Sequence, residues 1–158
     1  MDLTHFDEDG RARMVEISNK DITKREAIVR GRIYASKEVI EKIQEGTVAK
    51  GNVLAVARVA GIMASKKTSD LIPMCHPLML TGTDISFEIN EEESYIEAEV
   101  SVRTTGKTGV EMEALTACSL TLLTIYDMCK AIDKTMEVTD IRLIHKSGGK
   151  SGNFNRGE

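Results

Sequence analysis

Four stretches of this sequence hold residue types that could do chemistry. The first is Leu71-Ile72-Pro73-Met74-Cys75-His76-Pro77-Leu78, where the only two prolines of the chain bracket a Cys-His pair. Proline fixes φ and removes backbone freedom, so this loop is held stiffly. A rigid loop presenting His76 suits a general acid or a substrate clamp. The alternative is a structural turn whose His bonds to backbone. Zinc fits less well, because neither Cys118 nor Cys129 stands at metal-ligand spacing from Cys75.

The second stretch is an apolar run from Gly109 to about Asp133. Its charges are few: Glu111, Glu113, Asp127, Lys130, then Asp133. A carboxylate in so apolar a helix is costly unless paired. Asp127 and Lys130 are three apart and share a face. Buried, paired and facing a cleft, they would form a proton-transfer couple; otherwise they are a structural ion pair. At 100° per residue, Glu113 and Asp127 differ by about 40° around the axis and lie about 21 Å apart along it. One small ligand cannot reach both from one straight helix. Either they serve different sites, or two antiparallel copies bring Glu113 of one chain near Asp127 of the other.

The third is Gly106-Lys107-Thr108, between a strand and the long helix. A nucleotide-hydrolase loop would need Gly at position 101, where Ser stands. Either the helix N-terminus there attracts an anion, or the stretch is only a Gly-rich strand-to-helix turn. The fourth is Lys146-Ser147-Gly148-Gly149-Lys150-Ser151-Gly152. No helix can follow it in the residues left, so its glycines and lysines either fold over a phosphate or form a disordered basic tail. Lys50, Lys66, Lys67, Lys107, Lys146 and Lys150 all sit at element ends, and as a group they suit a polyphosphate.

These positions need a scaffold. The 158 residues make one domain. Residues 1–20 read as an irregular arm and 146–158 as a flexible Gly/Lys-rich tail. A strand is expected over 26–35. Ser36 opens a short helix, Lys37 to Glu45, and Gly46 stops it. A second helix runs from about Asn52 to Ser65, with the small-residue face Val53, Ala57, Ala60 and Ala64. Period-2 alternation over Ile85–Ile89 and Ile96–Val102, around the turn Glu91-Glu92-Glu93, predicts a hairpin. After the long helix comes a strand near Val138 to Ile144. This order gives an α+β fold in which helices cover one face of an antiparallel sheet.

Composition narrows the partners. A net charge of −4 and six aromatics without Trp argue against a nucleic-acid binder. Three cysteines make no disulfide framework and fit the reducing cytoplasm. No signal peptide and no membrane span are visible.

Several blocks together resemble one family. They are Leu3-Thr4-His5, Lys50-Gly51-Asn52-Val53-Leu54 and Ala57-Arg58-Val59-Ala60-Gly61-Ile62. The Leu71–Leu78 loop, Thr105 to Ala117, Leu123 to Ala131 and Lys146 to Gly152 complete the set. The pattern resembles the MoaC family of molybdenum cofactor biosynthesis over nearly the whole chain. It departs where Asn52 stands in place of Asp and Met74 in place of Leu. The resemblance implies a ferredoxin-like fold and a hexamer of three dimers, with a site at a subunit interface. It implies a cyclised dihydroguanosine triphosphate as substrate, and cyclic pyranopterin monophosphate and diphosphate as products. It implies Asp127 as the acid–base residue, with Lys130, Lys50 and His76 beside it. Met74, Cys75, His76, Met112 and Glu113 are implied to bind substrate, and Glu111, Lys146 and Lys150 join that set. No cofactor is called for, though Mg²⁺ often accompanies triphosphates. The competing readings are a nucleotide-sensing module without catalysis and a hydrolytic GTP cyclohydrolase.

Overall fold

Alternate residues of one long strand carry the core. Ala27, Val29 and Ile33 are fully buried while their neighbours Ile28, Arg30 and Arg32 are half-exposed. This is the signature of a sheet covered on one face. The computed structural model describes residues 4–158; Leu3, which opens the first resemblance block, lies outside that range. Nine elements follow: β1 (Thr23–Tyr34), α1 (Lys37–Glu45), α2 (Val53–Lys66), α3 (Thr68–Leu71), β2 (Leu80–Asn90), β3 (Tyr95–Gly106), α4 (Glu111–Cys129), β4 (Glu137–Ser147) and β5 (Phe154–Asn155). The five strands form one antiparallel sheet in the order β2-β3-β1-β4-β5. The path strand, helices, two strands, helix, strand in this order is the ferredoxin-like α+β fold.

Local signals set most boundaries. Ser36 accepts from the Val39 amide and opens α1, and Gly46, at φ 69°, closes it. Asn52 caps α2 through the Ala55 amide. The long helix is shorter than the apolar run. It ends at Cys129, whose carbonyl accepts from the amides of Ile132 and Asp133. The one-turn α3 and the strand β5 had no signal in the periodicity.

Packing between α2 and α4 explains the small-residue face of α2. The residue at the crossing is Gly61 rather than Ala60. A Cβ there would lie 3.2 Å from the Ala117 carbonyl and collide with Thr121 and Ile85. Glycine lets the two helices approach over the sheet. On α4, Ala114, Ala117, Cys118, Leu122 and Ile125 are fully buried. The opposite face of the sheet is a charged ladder: Arg30 pairs with Glu99 at 2.7 Å and Arg32 with Glu97 at 2.8 Å. No helix among the described residues is long and apolar enough to cross a membrane.

Candidate active site

The N-terminal end of α4 is where the rigid loop and the long helix meet. The side chain of the N-cap residue Val110 makes no capping bond to α4 there, and the first turn of a helix leaves its amides without intrahelical partners. Glu111 and Glu113 stand in the first turn, where the helix dipole favours negative charge. The loop after α3 is fixed by short bonds. The Ile72 amide donates to the Thr68 carbonyl, the Cys75 amide to the Ile72 carbonyl, and Thr104 Oγ1 to the Met79 carbonyl at 2.6 Å. Met74, Cys75 and His76 are half-buried and line a cavity of about 800 Å³ with Met112 and Glu113. The only histidine ring hydrogen-bonded among the described residues is that of His145, to Asn155. The His76 ring makes no hydrogen bond among the described residues, so the backbone bond of the structural-turn alternative is not seen.

Glu113 is the unusual group of this cavity. It is 4% exposed. Burial, with the nearby Glu111 charge adding to it, pushes its carboxyl up to about 7. Burial also raises the Cys75 thiol, and the Glu113 charge adds to that. A carboxyl that titrates near neutrality can both give and take a proton.

A second cavity of about 980 Å³ adjoins the first. Both are lined by Lys20, Thr108, Gly109 and Glu111; Arg25, Lys146 and Lys150 line only the second. Lys146 Nζ stands 3.4 Å from Glu111 and donates to Ser151 Oγ at 2.5 Å. Where composition suggested a flexible tail, the chain turns back sharply. Gly148 and Gly149 both have positive φ, 86° and 84°. A Cβ on Gly148 would collide with the Lys24 carbonyl, and one on Gly149 with the Arg25 guanidinium. The paired glycines let the tail pass directly over β1, and Phe154–Asn155 then pairs with β4.

Asp127, Lys130 and Lys50 meet at the other end of α4. Lys130 Nζ lies 2.8 Å from Asp127 Oδ1, and Lys50 Nζ 3.6 Å from Oδ2. Lys50 also donates to the Asp127 carbonyl at 2.9 Å, against the negative end of the helix. Burial of this couple, weighed from the sequence, is not observed: the Asp127 side chain is 61% exposed. It sits beyond the cover of the sheet, in the last turn. Bonding to Lys130 holds its carboxyl below the usual range, with Lys50 adding to the effect, and the pair raises Lys130 in turn. The apolar run did not distinguish a core position from a helix end.

Lys66, Lys67 and Lys107, also singled out in the sequence, line neither cavity; the other candidate site residues fall into two groups. Met74, Cys75, His76, Glu111, Met112, Glu113, Lys146 and Lys150 gather at the start of α4. Asp127, Lys130 and Lys50 gather at its end, about 20 Å or more away along the axis. Among the described residues no set of three His, Cys, Asp or Glu side chains converges as metal ligands would. Arg25 and Lys20 were missed. Arg25 is buried and donates from Nε to the Gly106 carbonyl at 2.9 Å. Its signal was present: it is in phase with Ala27, Val29 and Ile33, a charge on the inward face of a strand.

The MoaC family profile matches residues 14–149. A cyclic pyranopterin monophosphate synthase of Heliobacterium modesticaldum is 62% identical over 99% of this chain and 98% of its own. Proteins of the same name from Thermoanaerobacter sp. and Clostridium acetobutylicum are 60% and 57% identical. They cover 99% and 98% of this chain, and 99% and 96% of their own.

Proposed function

The chain belongs to the MoaC family, and on that premise we propose the reaction it performs. It converts (8S)-3',8-cyclo-7,8-dihydroguanosine 5'-triphosphate to cyclic pyranopterin monophosphate, releasing diphosphate, in molybdenum cofactor biosynthesis. It is an enzyme of the phosphorus–oxygen lyase type. The observation that carries this reading is the pair of adjoining cavities, one holding a buried Glu113 and the other rimmed by Lys20, Arg25, Lys146 and Lys150. The first suits a heterocycle that must exchange protons. The second suits a triphosphate.

The chemistry follows from these groups. Opening one ring and closing another needs several proton transfers, for which His76, Glu113 and Asp127 are the donors and acceptors. Forming the cyclic phosphate makes a new P–O bond at the α-phosphorus and breaks the bond to the departing diphosphate. Negative charge grows on the leaving oxygens, and Lys146, Lys150 and Arg25 stabilise it. No redox cofactor takes part. Mg²⁺, if present, would enter on the substrate's phosphates rather than on a protein cage.

We extend the reading to a site shared by two chains. The outward stripe of α4 holds Met112, Leu123, Asp127 and Lys130, all exposed in one chain. Val56, Val59 and Met63 of α2 are exposed as well. Apolar side chains on outer helix faces favour a second copy. A two-fold axis across α4 would set Asp127 of one chain near the Glu113 cavity of the other. The family resemblance extends this to a cytoplasmic homohexamer of three such dimers. Nucleic acid and membrane play no part in it.

Incubating the protein with the cyclised triphosphate tests the reading. Diphosphate and a cyclic monophosphate should appear together. Binding without diphosphate release would favour a nucleotide-sensing module, and consumption of GTP itself would favour a cyclohydrolase.

A further inference from the structure

Residues 4–20 form a small unit of their own. Phe6 bridges to Ala12, the Arg13 amide donates to the His5 carbonyl, and Asp7 Oδ1 accepts from the Asp9 and Arg11 amides. This hairpin pairs with no strand of the sheet. Among the described residues a single hydrogen bond joins it to the rest of the protein, from Lys107 Nζ to the Ser18 carbonyl at 2.9 Å. A unit held by its own bonds and tied to the body at one point moves more easily than the body itself.

The hairpin also forms one wall of the Glu113 cavity. Thr4, His5, Val15, Ile17 and Lys20 line it from that side, facing the rigid 72–78 loop. Glu16, on the same wall, is held low chiefly by hydrogen bonds from Ser18. Val15 and Ile17 give the wall an apolar surface, and His5 and Lys20 give it polar groups. The exposed stretch Asn19-Lys20-Asp21-Ile22 connects it to β1 with no ladder bonds.

We propose that the hairpin is a lid that closes over the substrate in the Glu113 cavity, hinged at 19–22 and latched at Ser18 by Lys107, and that it brings His5 into contact with substrate. Closure would exclude water while a reactive phosphate is displaced, and would strengthen each charge interaction in the cavity. The proposal rests on the cavity being the substrate site.

Hydrogen exchange of the full-length protein with saturating GTP as probe tests it. Exchange in residues 4–18 should slow by about tenfold, together with the 72–78 loop. Protection of the loop with an unchanged hairpin would overturn the lid and leave the site standing. Protection of neither would remove the Glu113 cavity as the substrate site, and the lid with it. Lys107→Ala should speed exchange in 4–18 without ligand and raise KM, and Lys107→Arg should restore both. Unaltered exchange in Lys107→Ala would overturn the latch. With turnover assayed, His5→Ala should raise KM about tenfold, as for loss of one polar contact to a charged ligand. An unchanged KM would remove His5 from the substrate.

Discussion

Glu113 and Asp127 stand at opposite ends of α4 and in opposite environments. Glu113 is 4% exposed and titrates near 7, whereas Asp127 is 61% exposed and is held ionised by Lys130. One carboxyl can carry a proton at neutral pH and the other is a standing anion with two lysines around it. Proton transfer chemistry needs groups separated in this way.

The buried carboxyl makes a prediction about stability. Below pH 4.5 Glu113 is protonated in the folded and unfolded chain alike. Between 4.5 and 7 the folded chain keeps the proton that the unfolded chain loses, so stability falls as pH rises through this window. The loss is on the order of 3 kcal/mol. Melting curves of wild type and Glu113→Gln, taken from pH 4.5 to 8, should converge at the acid end, and the variant should be the more stable above 7. Parallel curves would mean that Glu113 is not protonated in the folded protein.

The cationic cavity makes a prediction about binding. Lys146→Ala should weaken GTP binding by roughly tenfold or more, as expected for loss of a bond to a charged group, and should flatten the salt dependence. Calorimetry that finds unchanged affinity would remove the β4–β5 turn from the site.

Asp127→Asn keeps the side chain's size and its exposed position, so folding and assembly should be unaltered. Turnover should fall by about 10²–10⁴-fold, the usual worth of acid–base catalysis. A variant that retains more than about a tenth of wild-type turnover would contradict the acid–base role, leaving Asp127 as a partner that merely orients Lys50 and Lys130.

The sequence made the scaffold legible where local chemistry decided it. Ser36 and Gly46 mark the ends of α1, and alternation marks both arms of the hairpin. Most of the cavity residues were legible for the same reason: prolines around Cys-His, and charges in an apolar helix, are departures from pattern. What stayed hidden depended on distant packing. Arg25 stands in the phase of a core strand position, but that the tail passes over it at Gly149 is set by distant packing. The exposure of Asp127 follows from where α4 outruns its cover, which periodicity does not record. The β5 return depends on two glycines with positive φ, and composition alone suggested a loose tail. Nothing in the arm's composition set it against the 72–78 loop.

A site completed by two chains is the central feature of the proposed mechanism, and complementation tests it directly. Glu113→Gln and Asp127→Asn should each be nearly inactive in the diphosphate-release assay. Mixed under conditions that exchange subunits, about half of the dimers contain one chain of each kind. Each mixed dimer then holds one intact site and one doubly defective site, so activity should recover to about a quarter of wild type. No recovery, with subunit exchange established by mass spectrometry, would contradict the shared site and confine Glu113 and Asp127 to separate roles within one chain.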